Sequence, residues 1–246
     1  MHTIQTLTAI FDIPLSEHEA VDFKKPVCAA IHDLRENGQT DSIATDLFYN
    51  RDEETGNAEN RYPLIQYKSI RGKAAITGIN EGAQALQSIL KLLRQDENTH
   101  LNKRFLFNKQ NPVDFSQYQL HPSTHQLQLL TRKKQYLIKE WLPLDTHRYK
   151  AWMASQELKM LAEILDECLP RQISKMLSSV GFHHTVPFIA HTTSILATKD
   201  EVQIYHEKKI PFDCIISCNI DLPNDIGIGQ VPGIGYGRIF KTNSTV

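Results

Sequence analysis

The chain has 246 residues, 41% of them hydrophobic, enough to bury the core of one large domain or of two of about 100–150 residues each. Twenty-seven Lys and Arg against 28 Asp and Glu exclude a globally basic nucleic-acid binder, so any polyanion contact must come from local clusters. No apolar run approaches the ~20 residues that span a bilayer, and the first residues lack a basic and an apolar leader region, so a cytoplasmic protein without membrane contact is expected.

Residues 3–14 alternate weakly and read as an opening strand. Residues 16–36 follow with apolar positions at helical spacing, started by Ser16 with Glu19 three residues on and stopped at Asn37-Gly38. Residues 41–60 are polar and acidic, a loop. Residues 62–70 and 73–79 read as two strands joined by the tight turn Arg71-Gly72, and residues 81–94 as a helix with the stripe Ala83, Leu86, Ile89, Leu90 and Leu93. Residues 104–107 complete the order as a short strand. Strand, helix, strand, strand, helix, strand is the ferredoxin-like, RRM-like βαββαβ arrangement.

The second half repeats this theme less clearly. Residues 127–130 and 135–142 read as strands around the basic turn Arg132-Lys133-Lys134. Residues 148–177 carry a helical pattern that Pro170 is expected to divide or kink. A hairpin of residues 188–196 and 201–207 is expected next, then a strand over 212–219. The fold class is therefore α+β, two tandem ferredoxin-like modules, with domains at 1–115 and 116–246.

Charge and sulfur narrow the chemistry. Between residues 68 and 109 lie eight Lys or Arg and three acids, whereas residues 41–59 hold six acids and one Arg. Such asymmetry steers a polar ligand to one part of a surface even at zero net charge, although charge runs also serve simply as solvated faces. Cys28, Cys168, Cys214 and Cys218 are scattered and fit buried thiols in a reducing compartment. His183-His184 is the one adjacent histidine pair, and neighbours along a strand point to opposite faces, so neither a metal nor a cofactor is expected.

Five of the eleven glycines crowd into Gly227-Ile-Gly229-Gln-Val-Pro-Gly233-Ile-Gly235-Tyr-Gly237, with Arg238 directly after. Two readings are open. Glycines let N–H groups approach a phosphate closely, and they equally mark tight turns and bulges between strands. No Lys-Ser or Lys-Thr follows a glycine, which argues against a nucleotide-binding loop.

The stretch Tyr62-Pro-Leu-Ile-Gln-Tyr-Lys68, continuing to Gly78-Ile-Asn-Glu-Gly82, resembles the signature of the CRISPR-associated endoribonucleases of the RAMP superfamily that cut precursor CRISPR RNA. Leu222-Pro223 ahead of the glycine segment, and Trp141-Leu-Pro-Leu in the second half, are similar to that family as well. The resemblance implies two ferredoxin-like domains and repeat RNA as partner. Effector-complex proteins and a second copy of the chain are further candidate partners. The implied reaction is metal-independent attack of a ribose 2′-OH on the adjacent phosphate, leaving a 2′,3′-cyclic phosphate.

The catalytic stretch departs from the family. Where similar proteins carry His-Asn-His, this chain has Tyr49-Asn50-Arg51. The catalytic candidates are therefore Tyr49, Arg51 and Tyr62, with His32 on the first helix as a replacement imidazole. For RNA binding, Lys68, Arg71 and Lys73 at the hairpin and Gly229, Gly233, Gly235, Gly237, Arg238 and Lys241 at the glycine segment are the candidates. Tyr236 would stack on an unpaired base if exposed. Three functions remain open: a cleaving endoribonuclease, a non-cleaving RNA binder of a ribonucleoprotein complex, and a dimerising scaffold without RNA.

Overall fold

The computed structural model describes residues 2–50, 61–95, 106–107, 111–183, 187–204 and 207–242. Its contacts divide the chain into two compact units: residues 4–124 with Gly233–Gly235, and residues 1–3 and 125–232 with 236–246.

In the first unit, strand β1 (His2–Pro14) leads to helix α1 (Ala20–Glu36), which a short 3-10 turn over Glu17–Glu19 introduces. The Glu19 carboxylate accepts the Ser16 backbone N–H at 2.9 Å, closing the start that the sequence signals. Phe23, Val27, Ala30, Ile31 and Leu34 form the buried face of α1. A short helix α2 (Asp46–Tyr49) follows and ends on Asn50 in the left-handed region, φ 51°. Strands β2 (Ile65–Ile70) and β3 (Lys73–Ile79) pair with Ile70 opposite Lys73, and Arg71 and Gly72 both take positive φ, 53° and 75°. Two positive φ values in a two-residue loop define the turn whose twist suits a hairpin. Helix α3 (Glu81–Gln95) buries Ala85, Leu86, Ile89, Leu90 and Leu93.

The fourth strand of this sheet differs from expectation. Residues 106–107 form β4, which pairs only with β5 (Asn111–Pro112), while β6 (Tyr118–Leu127) takes the edge in the order β2-β3-β1-β6. Residues 104 and 105 lie outside the described residues. Six consecutive exposed positions in β6 explain the difference: an edge strand without a buried face carries no apolar alternation.

The second unit opens with β7 (Leu129–Trp141), one strand in which Arg132, Lys133 and Lys134 are exposed mid-strand residues rather than a turn. Helix α4 (Thr146–Ser155) starts on Asp145, whose carboxylate accepts the Arg148 N–H at 2.8 Å, and helix α5 (Leu158–Ser179) follows. The break falls at Gln156, φ 54°, and Pro170 sits inside α5 instead of dividing it. Asp145 as N-cap and Gln156 as a left-handed end are the stronger signals; a proline removes one donor but leaves a long helix intact where tertiary packing supports it.

Strand β8 (Ala190–Thr198) pairs with β11 (Phe212–Ile220), not with the segment after it. Residues Val202–Ile204 (β9) and Glu207–Lys209 (β10) make a small hairpin of their own. With β12 (Arg238–Lys241) the sheet order is β12-β7-β11-β8. Both sheets therefore have the ferredoxin-like strand order in which the first and third strands lie in the middle. In this unit the connection from the third strand to the fourth is the glycine-rich segment where a ferredoxin-like fold has its second helix. Trp141, Tyr136, Phe212, Leu165 and Ile173 are buried, and the Trp141 indole N–H donates to Gln172 Oε1 at 2.7 Å.

Candidate functional site

The glycine segment is held at both ends by backbone bonds. The Asp225 and Ile228 N–H groups donate to Ile239 O and Gly237 O at 2.6 and 2.9 Å, and the Ile239 N–H donates back to Ile226 O at 3.0 Å. Gly237, at φ 69°, donates its N–H to Glu140 O at 3.1 Å, and a Cβ there would overlap the Ile228 carbonyl. The Gln230 N–H is spent on Leu142 O at 3.0 Å. These donors serve the protein, so close approach of one backbone to another accounts for the glycines at 237 and 229, where a Cβ would lie 2.9 Å from Leu142 O.

Gly233 and Gly235 belong to the other unit, where they lie along β2. A Cβ on Gly235 would come 3.3 Å from Tyr67 O, and one on Gly233 3.3 Å from Pro63 Cβ. Tyr236 is buried and its phenol is pushed up to about 12 by that burial, so it is not a stacking platform for a base. Arg238 Nε donates to Asp225 Oδ1 at 2.6 Å and its guanidinium lies 5.2 Å over the Phe240 ring. Lys241 pairs with Asp221 at 3.0 Å, which also receives Lys134 at 3.1 Å.

At the hairpin the three cations separate. Lys68, expected among the RNA-binding residues of the hairpin, is 1% exposed. The reason is register: Lys68 faces the same way as Gln66, itself fully buried, and β2 is covered on both sides. Lys73 pairs with Asp12 at 2.7 Å through exposed side chains, a contact that water screens. Arg71, exposed at the turn, has no ion-pair partner among the described residues.

The proposed chemistry gathers on α1. Lys24, Cys28 and His32 are spaced four residues apart, one stripe of the helix with about 6 Å between successive members. The C-terminal end of α2 lies on this stripe: the Tyr49 hydroxyl donates to Cys28 O at 3.1 Å, and Lys24 Nζ donates to Tyr49 O at 2.9 Å. His32 is exposed one turn further along. Asn50 Oδ1 is buried with no hydrogen-bond partner among the described residues, an acceptor beside the same cluster. Arg51 lies outside the described residues.

Tyr62 is apart from this stripe. It is 3% exposed, its hydroxyl accepts from Gln66 Nε2 at 2.8 Å, and burial pushes its phenol well above the ordinary range. Tyr67, also buried and also raised by burial, donates to Phe48 O at 3.2 Å and so ties β2 to α2. Lys24 is the residue that sequence reasoning missed. Its spacing to Cys28 and His32 was visible, but nothing in the sequence indicated that Tyr49 would dock on that stripe.

Three further histidines have other surroundings. His125 lies 2.7 Å from Asp221 O, His121 is exposed on β6, and His100 is outside the described residues. Among the described residues no three His, Cys, Asp or Glu side chains gather as metal ligands, and no helix is long and apolar enough to cross a membrane.

The Cas6b N-terminal domain model matches residues 4–117 and the Cas6b C-terminal domain model residues 128–242. No curated protein matches the chain. A solved structure described as Cas6b is 18% identical, with a TM-score of 0.74 over 98% of this chain and 100% of that one. A second, described as a CRISPR RNA processing endoribonuclease Cas6b, is 17% identical with a TM-score of 0.61 over the same shares. At these identities the structural likeness establishes the tandem ferredoxin-like fold. The two domain models together cover nearly all of the sequence, and the chain belongs to the Cas6b family of CRISPR-associated proteins.

Proposed function

We propose that the chain binds the repeat RNA of a CRISPR transcript and cleaves it without a metal. The family assignment supports RNA as the substrate. The observation that supports a cleaving role is the docking of Tyr49 on α1, where Lys24 Nζ donates to Tyr49 O and the Tyr49 hydroxyl donates to Cys28 O, one turn before His32.

In this reading the ribose 2′-oxygen attacks the adjacent phosphorus, the O2′–P bond forms and the P–O5′ bond breaks. His32 takes the 2′-OH proton, since imidazole is the side chain whose ordinary titration lies nearest neutrality. The Tyr49 phenol gives a proton to the departing 5′-oxygen after exchanging its bond to Cys28 O. Lys24 and Arg51 offset the charge of the pentacoordinate phosphorus, while Arg71 and Lys73 hold backbone phosphates at the hairpin.

A second reading, an RNA binder without cleavage, is favoured by the engagement of two candidate hydroxyls: Tyr49 on Cys28 O and Tyr62 in a buried pair with Gln66. Incubating the purified protein with its repeat RNA in EDTA separates the two. A 2′,3′-cyclic phosphate product is expected, and His32→Ala is expected to slow it by about 10²–10⁴-fold with RNA affinity retained. Tight binding with no product from the unaltered chain would leave only the second reading.

A further inference from the structure

The first unit has a trough beside its edge strand. One cavity, of about 420 Å³, is lined by Ile10, Phe11, Lys73, Arg94, Gln117 and Tyr118 among others. A second, of about 270 Å³, lies between α3 and β6 and is lined by Gln87, Leu90, Lys91, Arg94, Tyr118 and Leu120. Arg94 and Tyr118 line both, so the two cavities adjoin at these side chains and together make a channel.

Its chemistry is uneven. Lys91 and Arg94 are exposed on α3, and neither has an ion-pair partner among the described residues. Helix spacing of three places both heads on one side of α3. Tyr118 is half-buried, its ring set 5.9 Å from the Phe11 ring, and its hydroxyl has no hydrogen-bond partner among the described residues. Packing on Phe11 fixes the ring, while the channel receives its other side. Gln87, Gln117 and Gln119 add amide donors and acceptors along the rim. The acid at this site is Asp12, which pairs with Lys73 at 2.7 Å.

We propose that this channel is a second RNA-binding surface that takes an unpaired strand, its phosphates on Lys91 and Arg94 and a base against Tyr118. Two unpaired cations beside a supported aromatic ring are the elements with which proteins hold single-stranded RNA. Of the two cavities, about 420 and 270 Å³, one falls inside and one just below the range of ligand clefts, about 300–1,000 Å³, which gives room for single nucleotides. The proposal rests on RNA being the ligand of the chain, and it adds Lys91, Arg94 and Tyr118, which neither the hairpin nor α1 includes.

The test uses the full chain and its fluorescently labelled repeat RNA extended by unpaired nucleotides at both ends. For the double variant Lys91→Ala/Arg94→Ala, affinity is expected to fall about tenfold, and the slope of log Kd against log salt to drop by about 1.4, two phosphates at about 0.7 each for a single strand. Cleavage of bound RNA at saturation should stay as in the unaltered chain. Crosslinking with 4-thiouridine RNA should label peptides containing residues 87–94 or 117–120. If the unaltered chain binds and the double variant matches it in affinity and slope, the channel is refuted while the proposed function stands. Crosslinks confined to other peptides refute it too. If the unaltered chain binds no RNA even at low salt, the proposed function fails, and this surface with it.

Discussion

Replacing Gly237 by Ala distinguishes a structural glycine segment from a phosphate cradle. At φ 69° an alanine is in the left-handed region, which costs an L-residue about 1–2 kcal/mol. Steric overlap costs more, because the new Cβ would run into the Ile228 carbonyl and one of the two strands must move. Moving either loosens the bonds from Ile228 N to Gly237 O at 2.9 Å and from Gly237 N to Glu140 O at 3.1 Å. A buried backbone group left without a partner costs about 1–3 kcal/mol. The total, about 2–5 kcal/mol, is a large part of the roughly 5–15 kcal/mol that stabilises a typical folded domain. At about 2–4 °C per kcal/mol for a chain of this size, the melting transition should fall by about 4–20 °C. Gly38→Ala is the control: φ is 67° there, but nothing lies within 4 Å of the added Cβ, so only the conformational cost remains, about 2–8 °C. Differential scanning calorimetry of both variants reads the difference. A Gly237→Ala protein that melts with the unaltered chain but binds RNA weakly would refute the structural account and restore the cradle.

Two further outcomes follow from buried groups of the second unit. Burial works against the Asp221 carboxylate, but the Lys241 and Lys134 ammoniums at 3.0 and 3.1 Å outweigh it and hold it below the usual carboxylate range. A depressed acid contributes stability above its unfolded value near 3.9 and loses it as pH falls through the folded value, so stability should decline below about pH 4. Asp221→Asn should lower stability at pH 7 and flatten that part of the decline, measured by urea unfolding across pH; an unchanged pH profile would contradict the assignment. Burial pushes the Cys214 thiol up to about 12 and Cys218 to about 11, whereas Cys28 is half-buried. Thiolate-selective reagents at pH 8 should modify Cys28 first and reach Cys214 and Cys218 only on unfolding, and rapid native labelling of either buried cysteine would count against this packing.

The elements that were legible in the sequence are those with local causes. Ser16 and Glu19 begin α1 through their own bond, Arg71-Gly72 makes the hairpin by its positive φ values, and the 3.6-residue spacing of Leu86, Ile89, Leu90 and Leu93 marks α3. The motif from Tyr62 to Lys68 carried the family, and Tyr49 lies against α1, its hydroxyl on Cys28 O. What misled were elements whose partners are distant. Residues 118–127 are mostly exposed and carry no period, and residues 190–198 pair with 212–220 across a small hairpin that looked like their natural partner.

Fold class and family were thus settled by short-range pattern and a heptapeptide, because capping, turn geometry and amphipathic spacing act over a few residues. The roles of individual side chains depended on tertiary packing. Lys68 is buried by its register, Arg238 is held by Asp225, and the N–H groups of Ile228, Gln230 and Gly237 are consumed by carbonyls of the protein. Lys24 joins Tyr49 only once α2 folds back on α1. Whether a charge or a backbone donor is free for RNA depends on what stands 3 Å away, and that neighbour is chosen by the fold over separations the local sequence does not encode.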